Sequence, residues 1–149
     1  VNEIAASLEA TELAHFLKAS RWVYPLVNAG HILGIALLVG AVVPMDLRIL
    51  AIIRRPALPE TIALLRPVAV AGLVLAATCG GLLFITQATD YVGNDWFWAK
   101  ITLVALATAN ALVHRPLLRL SEFRRVTAAT ISLTFWPAAL ICGRMIGYS

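Results

Sequence analysis

Charge is what this sequence has least of. Only 13% of its 149 residues are charged, against 60% hydrophobic, where soluble domains carry about a quarter charged. A chain this short cannot hide so much apolar surface in its own core, because small globules leave much of their surface exposed. A water-soluble globule is thereby excluded, and lipid has to act as the solvent. The formal net charge is +4, but the cations sit between apolar blocks and gather on no face. Nucleic-acid binding therefore has no patch to rest on. Sulfur is equally sparse. Cys79 and Cys142 lie in apolar runs without a metal-binding repeat, which reads as two small buried hydrophobes and no disulfide. Met45 and Met145 are the only thioethers, so copper transport lacks its Met-rich or Cys-rich motif. No serine nucleophile with a base, phosphate-binding glycine loop or paired carboxylate occurs at usable spacing, which leaves hydrolysis and nucleotide chemistry unsupported. No cleavable signal peptide is visible. The first apolar run begins only after about twenty residues of mixed sequence, and the first span is expected to serve as its own targeting signal.

What is present is four apolar blocks, each near the length of about twenty residues that crosses a bilayer as a helix. They run over about 22–45, 67–89, 96–114 and 126–148. Prolines 25, 44, 67 and 137 mark helix starts, ends or a kink. Ahead of the blocks, residues 1–21 place Ile4, Leu8, Leu13, Phe16 and Leu17 at roughly helical spacing, with Glu3, Glu9, Glu12 and Lys18 between them. This predicts a short amphipathic helix, lying along the membrane surface or packed on the end of the bundle. Short connections predict an all-α, up-down-up-down transmembrane four-helix bundle in a single domain, 1–149.

Loop charge predicts the orientation. Arg48, Arg54, Arg55 and Arg66 lie around the first connection, and Arg115, Arg119, Arg124 and Arg125 around the third. The second, Asp90 to Asp95, holds two acids and no base. By the positive-inside rule the arginine-rich loops are cytoplasmic and both termini periplasmic, as in a bacterial inner membrane. Trp22, Tyr24, Tyr91, Trp96, Trp98 and Tyr148 then fall at the outer ends as an interfacial aromatic belt.

Against this frame one stretch stands out, Asn28-Ala-Gly30-His31-Ile-Leu-Gly34. It sets an imidazole roughly 13 Å below the outer start of its helix, and a titratable group at such depth is a functional-site candidate by default. Cys79, Gly80 and Gly81 reach a comparable level on the second span, with Gly72 deeper, while Lys100 and Arg144 sit higher, near the outer surface. His31 below, two cations above, and Gly30, Gly34, Gly72, Gly80 and Gly81 thinning the helix surfaces would suit a b-type haem. The imidazole would ligate iron and the cations would meet the propionates. The same residues also fit a histidine bonded to a neighbouring helix, glycines at close helix contacts and snorkelling cations. A second candidate set lies at the cytoplasmic face: Asp46, Arg48, Asn110, His114 and Arg115. There Asp46 would orient the His114 ring, or a salt-bridged helix end would explain the group. His15 reads as a surface residue. Because His31 and His114 fall at opposite faces, they are not expected to share one haem.

Two segments carry a resemblance. The run His31-Ile-Leu-Gly-Ile-Ala-Leu-Leu-Val-Gly40 and the run Trp96-Phe-Trp-Ala-Lys100-Ile-Thr-Leu-Val resemble diagnostic segments of the CopD-like and HemJ-like membrane proteins. The continuation Ala109-Asn-Ala-Leu-Val-His114-Arg115 also resembles a group of small four-span bacterial membrane proteins. HemJ-type proteins are protoporphyrinogen oxidases that bind haem through a membrane histidine with an important lysine, and the matching positions are His31 and Lys100. CopD-like proteins are associated with copper resistance. The sequence departs from both patterns. An aliphatic run stands where a tryptophan usually precedes Gly40, and Asp46-Leu-Arg48 replaces a Pro-Arg-containing segment.

Together these readings favour a small membrane cytochrome b that carries electrons between a quinone or redox partner protein and another component. The alternatives are a HemJ-type oxidase and a non-catalytic subunit, homo-oligomeric or part of a larger membrane complex.

Overall fold

A computed structural model describes Asn2–Tyr148, and each of the four apolar blocks forms a long helix. The elements are α1 (Asn2–Glu9), α2 (Glu12–Ala19), α3 (Val23–Ile49), α4 (Leu58–Thr86), α5 (Ala88–Val92), α6 (Asp95–Val113) and α7 (Glu122–Met145). Short 3-10 turns occupy Leu117–Arg119 and Ile146–Tyr148. The protein is an all-α, multi-pass membrane bundle whose spans alternate in direction. One end carries α1, α2, α5 and the end of α7, and is here the terminal end. The other carries the connections at 50–57 and 114–121, the arginine-loop end.

The expected single amphipathic helix over 1–21 is two helices, with Val1 outside the described residues. Thr11 makes the break. Its hydroxyl donates to the Leu8 carbonyl at 2.7 Å and accepts from the Ala14 N–H at 3.3 Å, closing one helix and capping the next. Both helices pack on the end of the bundle, α1 over α5 and both against the end of α4. Small residues allow this, since Ala5, Ala14 and Ala88 are buried at the junction.

The second long helix starts at Leu58, well before Pro67, and ends at Thr86, short of residue 89. Arg66 limits how much of the helix can sit in hydrocarbon, but it does not stop backbone hydrogen bonding. Pro67 is therefore inside the helix, as Pro44 is in α3 and Pro137 in α7. The last long helix likewise starts earlier, at Glu122, and gives way to a 3-10 turn at Ile146. At the end of α3, Ala51 takes a left-handed conformation (φ 57°). There the Ile52 N–H reaches the Leu47 carbonyl and the Ala51 N–H the Arg48 carbonyl. This is a helix-ending turn that normally uses glycine, and a side chain there costs about 1 kcal/mol.

In the bundle α3–α4 is the tightest pair, α6–α7 is next and α3–α7 joins them, while α4 and α6 meet through side chains, as where Phe84 stacks on Phe97. The core is Leu38, Ala41 and Val42 of α3, Ala69 of α4, Ala107 of α6 and Trp136 of α7, so one indole touches the meeting point of all four spans.

Candidate functional site

The tightest contact in the bundle is built from glycine. A Cβ on Gly34 would lie 2.5 Å from the Ala76 nitrogen, and one on Gly72 would lie 2.5 Å from the Leu38 nitrogen. Only hydrogen fits at either position, so α3 and α4 touch backbone to backbone. This crossing delivers His31 to α4. Its Nδ1–H donates to the Ala76 carbonyl at 2.7 Å. A carbonyl only accepts, so Nδ1 holds the proton and Nε2 keeps its lone pair. Nε2 has no hydrogen-bond partner among the described residues. The ring lies on Gly80, where a Cβ would come within 2.9 Å of Cε1. One residue before His31, Gly30 makes room for the Cys79 thiol, whose Sγ would be 2.9 Å from an added Cβ.

Lys100 completes this cluster from α6. Its aliphatic stem lies along Gly143 of α7, with Cδ, Cε and Nζ 3.5–3.6 Å from where a Cβ would be. It is half-buried, within electrostatic range of His31, and in no ion pair; among the described residues the one ion pair is Lys18–Glu9 at 3.7 Å. The cluster therefore draws on all four spans: His31 from α3, Ala76 and Gly80 from α4, Lys100 from α6 and Gly143 from α7. Above it Phe84 and Phe97 stack with centroids 5.4 Å apart, and Tyr91 lies against both at 6.1 and 5.5 Å. This aromatic cap is more than an interfacial belt, because it links α4, α5 and α6 over the seam where the backbones stand apart. Phe84 lies one turn beyond Gly80 and Phe97 one turn before Lys100, a spacing that could have signalled it. Burial holds the Tyr91 phenol above its ordinary range, helped by the nearby Tyr24 and Asp90.

Arg144 does not join. It is exposed, donates from Nη2 to the Tyr148 hydroxyl at 2.6 Å and lies 4.8 Å over that ring. Equal depth with Lys100 did not mean a shared face. Two of the expected surface-thinning glycines are also accounted for differently. The space at Gly34 is filled by the α4 backbone and that at Gly80 by the His31 ring itself.

At the arginine-loop end the second candidate set comes apart. His114 Nδ1–H donates to its own helix at Asn110 O, 2.9 Å, and Asn110 Nδ2 donates across to Ala128 O of α7 at 3.0 Å. Asp46 is buried, 4% exposed, beside Ser132, and its Oδ2 has no hydrogen-bond partner among the described residues. It orients no imidazole and forms no salt bridge. Arg48 instead donates from Nε to Pro56 O at 2.6 Å, and Arg115 is exposed. The helix geometry explains this: His114 caps α6 and its shortest reach is back to its own last turn. His15 is exposed, and His31 and His114 lie at opposite ends of the bundle, as expected.

A b-type haem asks three things of this cluster. It needs an imidazole with a free Nε2, which His31 has. It needs a cation near the polar edge of the macrocycle, which Lys100 supplies and Arg144 does not. It needs a slot, and the space at Gly34 and Gly80 is already taken by the α4 backbone and by the His31 ring. No protein-family model, curated protein or solved structure matches the chain.

Proposed function

We propose that this chain is a small membrane electron carrier that holds a b-type haem on His31, with Lys100 pairing a propionate. The observation that supports it most is the Ala76 carbonyl. A ligating histidine usually gives its other ring N–H to a carbonyl or carboxylate, which fixes the tautomer, aims the ring and makes Nε2 a better donor. Here one backbone oxygen does all three. Bound haem would supply reversible one-electron exchange. The chain would hold the imidazole neutral, exclude water with the aromatic cap and offset propionate charge with Lys100. The resemblance of the His31 and Lys100 segments to CopD-like and HemJ-like proteins agrees with this choice of residues. Loop arginines support an inner-membrane orientation with both termini periplasmic. A quinone or redox partner protein would then exchange electrons at the terminal end.

The test is the visible spectrum of the purified chain, oxidised and reduced, from cells supplied with a haem precursor. A Soret band is expected that His31→Ala abolishes and His114→Ala leaves in place. A colourless protein, or colour that survives His31→Ala, overturns the reading. A second reading, a non-catalytic subunit or homo-oligomer, is supported by Gly40 and Gly81. Among the described residues nothing lies within 4 Å of a Cβ built on either, so another helix could approach closely there.

A further inference from the structure

Where α2 turns into α3, an open cleft of about 580 Å³ faces the end of α4. Lys18, Ser20, Arg21 and Tyr24 line one side and Gln87 the other. No carboxylate lines it. Outside the lining, Glu9 pairs with Lys18 at 3.7 Å through one oxygen, while its other oxygen accepts from the Thr89 N–H and hydroxyl. Arg21 rests its guanidinium 5.6 Å over the Trp22 ring, which steadies the charge while leaving its N–H groups available. An ammonium, a guanidinium, a phenol and an amide thus converge as donors on one opening, and phosphate oxygens are the acceptors that suit such a set.

The position of the cleft narrows the ligand further. It opens where α3 enters its membrane-spanning segment at Val23. Beside the lining residues Arg21 and Pro25 in the chain, Trp22 and Leu26 are bare apolar side chains, 71% and 67% exposed. A cationic cleft with exposed apolar side chains in the same turns of the chain suits an amphiphile, whose charged head and apolar chain need both. A free phosphate would use only the cationic part.

We propose that this cleft binds the phosphate of an anionic phospholipid at the terminal end of the bundle. The headgroup lies between Lys18 and Arg21, and the acyl chain lies along Trp22 and Leu26. It is independent of the haem reading, since it uses neither His31 nor Lys100.

The experiment follows thermal unfolding of the full chain in neutral-detergent micelles during titration with phosphatidylglycerol, phosphatidylcholine or inorganic phosphate. Phosphatidylglycerol is expected to raise the unfolding temperature saturably, and the other two are not. Each basic side chain near an anionic lipid contributes about fivefold in affinity, so Lys18→Gln with Arg21→Gln should raise the half-saturating concentration about thirtyfold. The charge-preserving pair Lys18→Arg with Arg21→Lys should stay close to the unsubstituted chain, and circular dichroism checks that both variants keep their helix content. An equal response to phosphatidylcholine, a full response to inorganic phosphate alone, or a titration unchanged in the Gln variant each overturns the proposal.

Discussion

The pairs α3–α4 and α6–α7 solve the same problem with different materials. In α3–α4 the backbones touch, through Gly34 and Gly72, and His31 adds a side-chain bond across the crossing to the Ala76 carbonyl. In α6–α7 the one glycine involved, Gly143, is covered by the Lys100 side chain at ordinary contact distance, and the bond between the helices is Asn110 to Ala128. Lipid tails are as apolar as leucine, so burying apolar side chains gives little drive for helices to associate. Close packing and hydrogen bonds between helices have to do it. The first pair takes the close-packing route and becomes a rigid support for an imidazole. The second stands further apart and leaves room for a charged side chain to lie between helices.

The sharpest way to break this contrast is to put a side chain at each glycine. Gly34→Leu should destabilise the bundle by about 3 kcal/mol, because the obstructing atoms are backbone and cannot turn aside. Gly143→Ala should change stability little, because a flexible lysine stem can give way. Reversible denaturant unfolding in micelles measures both, and equal costs would remove the distinction. A smaller effect comes from the polar bond of the second pair. Asn110→Leu should cost about 0.6 kcal/mol by the same assay, the average for hydrogen bonds between membrane helices. A loss as large as that of Gly34→Leu would mean that α6–α7 depends on its polar contact as much as α3–α4 does on its glycines.

The smallest effect lies outside the spans, where Glu9 ties α1 to α5. Hydrogen bonds from the Thr89 hydroxyl and N–H, with Lys18 nearby, hold its carboxyl below the ordinary glutamate value of 4.5. A lowered folded value means the contact contributes fully above that pH and is lost as the pH falls below it through the folded value. Protection of the α1 amides, taken relative to their intrinsic exchange rates at each pH, should therefore fall below pH 4.5 in the unsubstituted chain and be reduced already at neutral pH in Glu9→Gln. Protection in α3 and α4 should stay unchanged in both.

Much of this architecture is legible without coordinates. Four apolar runs separated by charged connections are enough for four alternating spans, and position along a helix converts directly into depth, which correctly separated His31 from His114. Helix ends were less legible. Arg66-Pro67 reads as a boundary because arginine leaves the hydrocarbon there, yet the backbone stays helical back to Leu58. Depth also says nothing about which way a side chain faces. Lys100 and Arg144 lie at similar levels, but one lies along Gly143 between the helices and the other turns to Tyr148.

Composition and periodicity alone therefore determined that this is a membrane bundle with one imidazole deep in its terminal half and glycines near it. Only the tertiary structure decided what those glycines are for. Gly34 and Gly72 seat one backbone on another, Gly80 seats the ring, and Ala76 takes its proton-bearing nitrogen, leaving Nε2 free. The physical reason is register. A glycine marks where a helix surface is thin, but which atom fills that space depends on the rotation and offset of the neighbouring helix, and those are set by the packing of the whole pair.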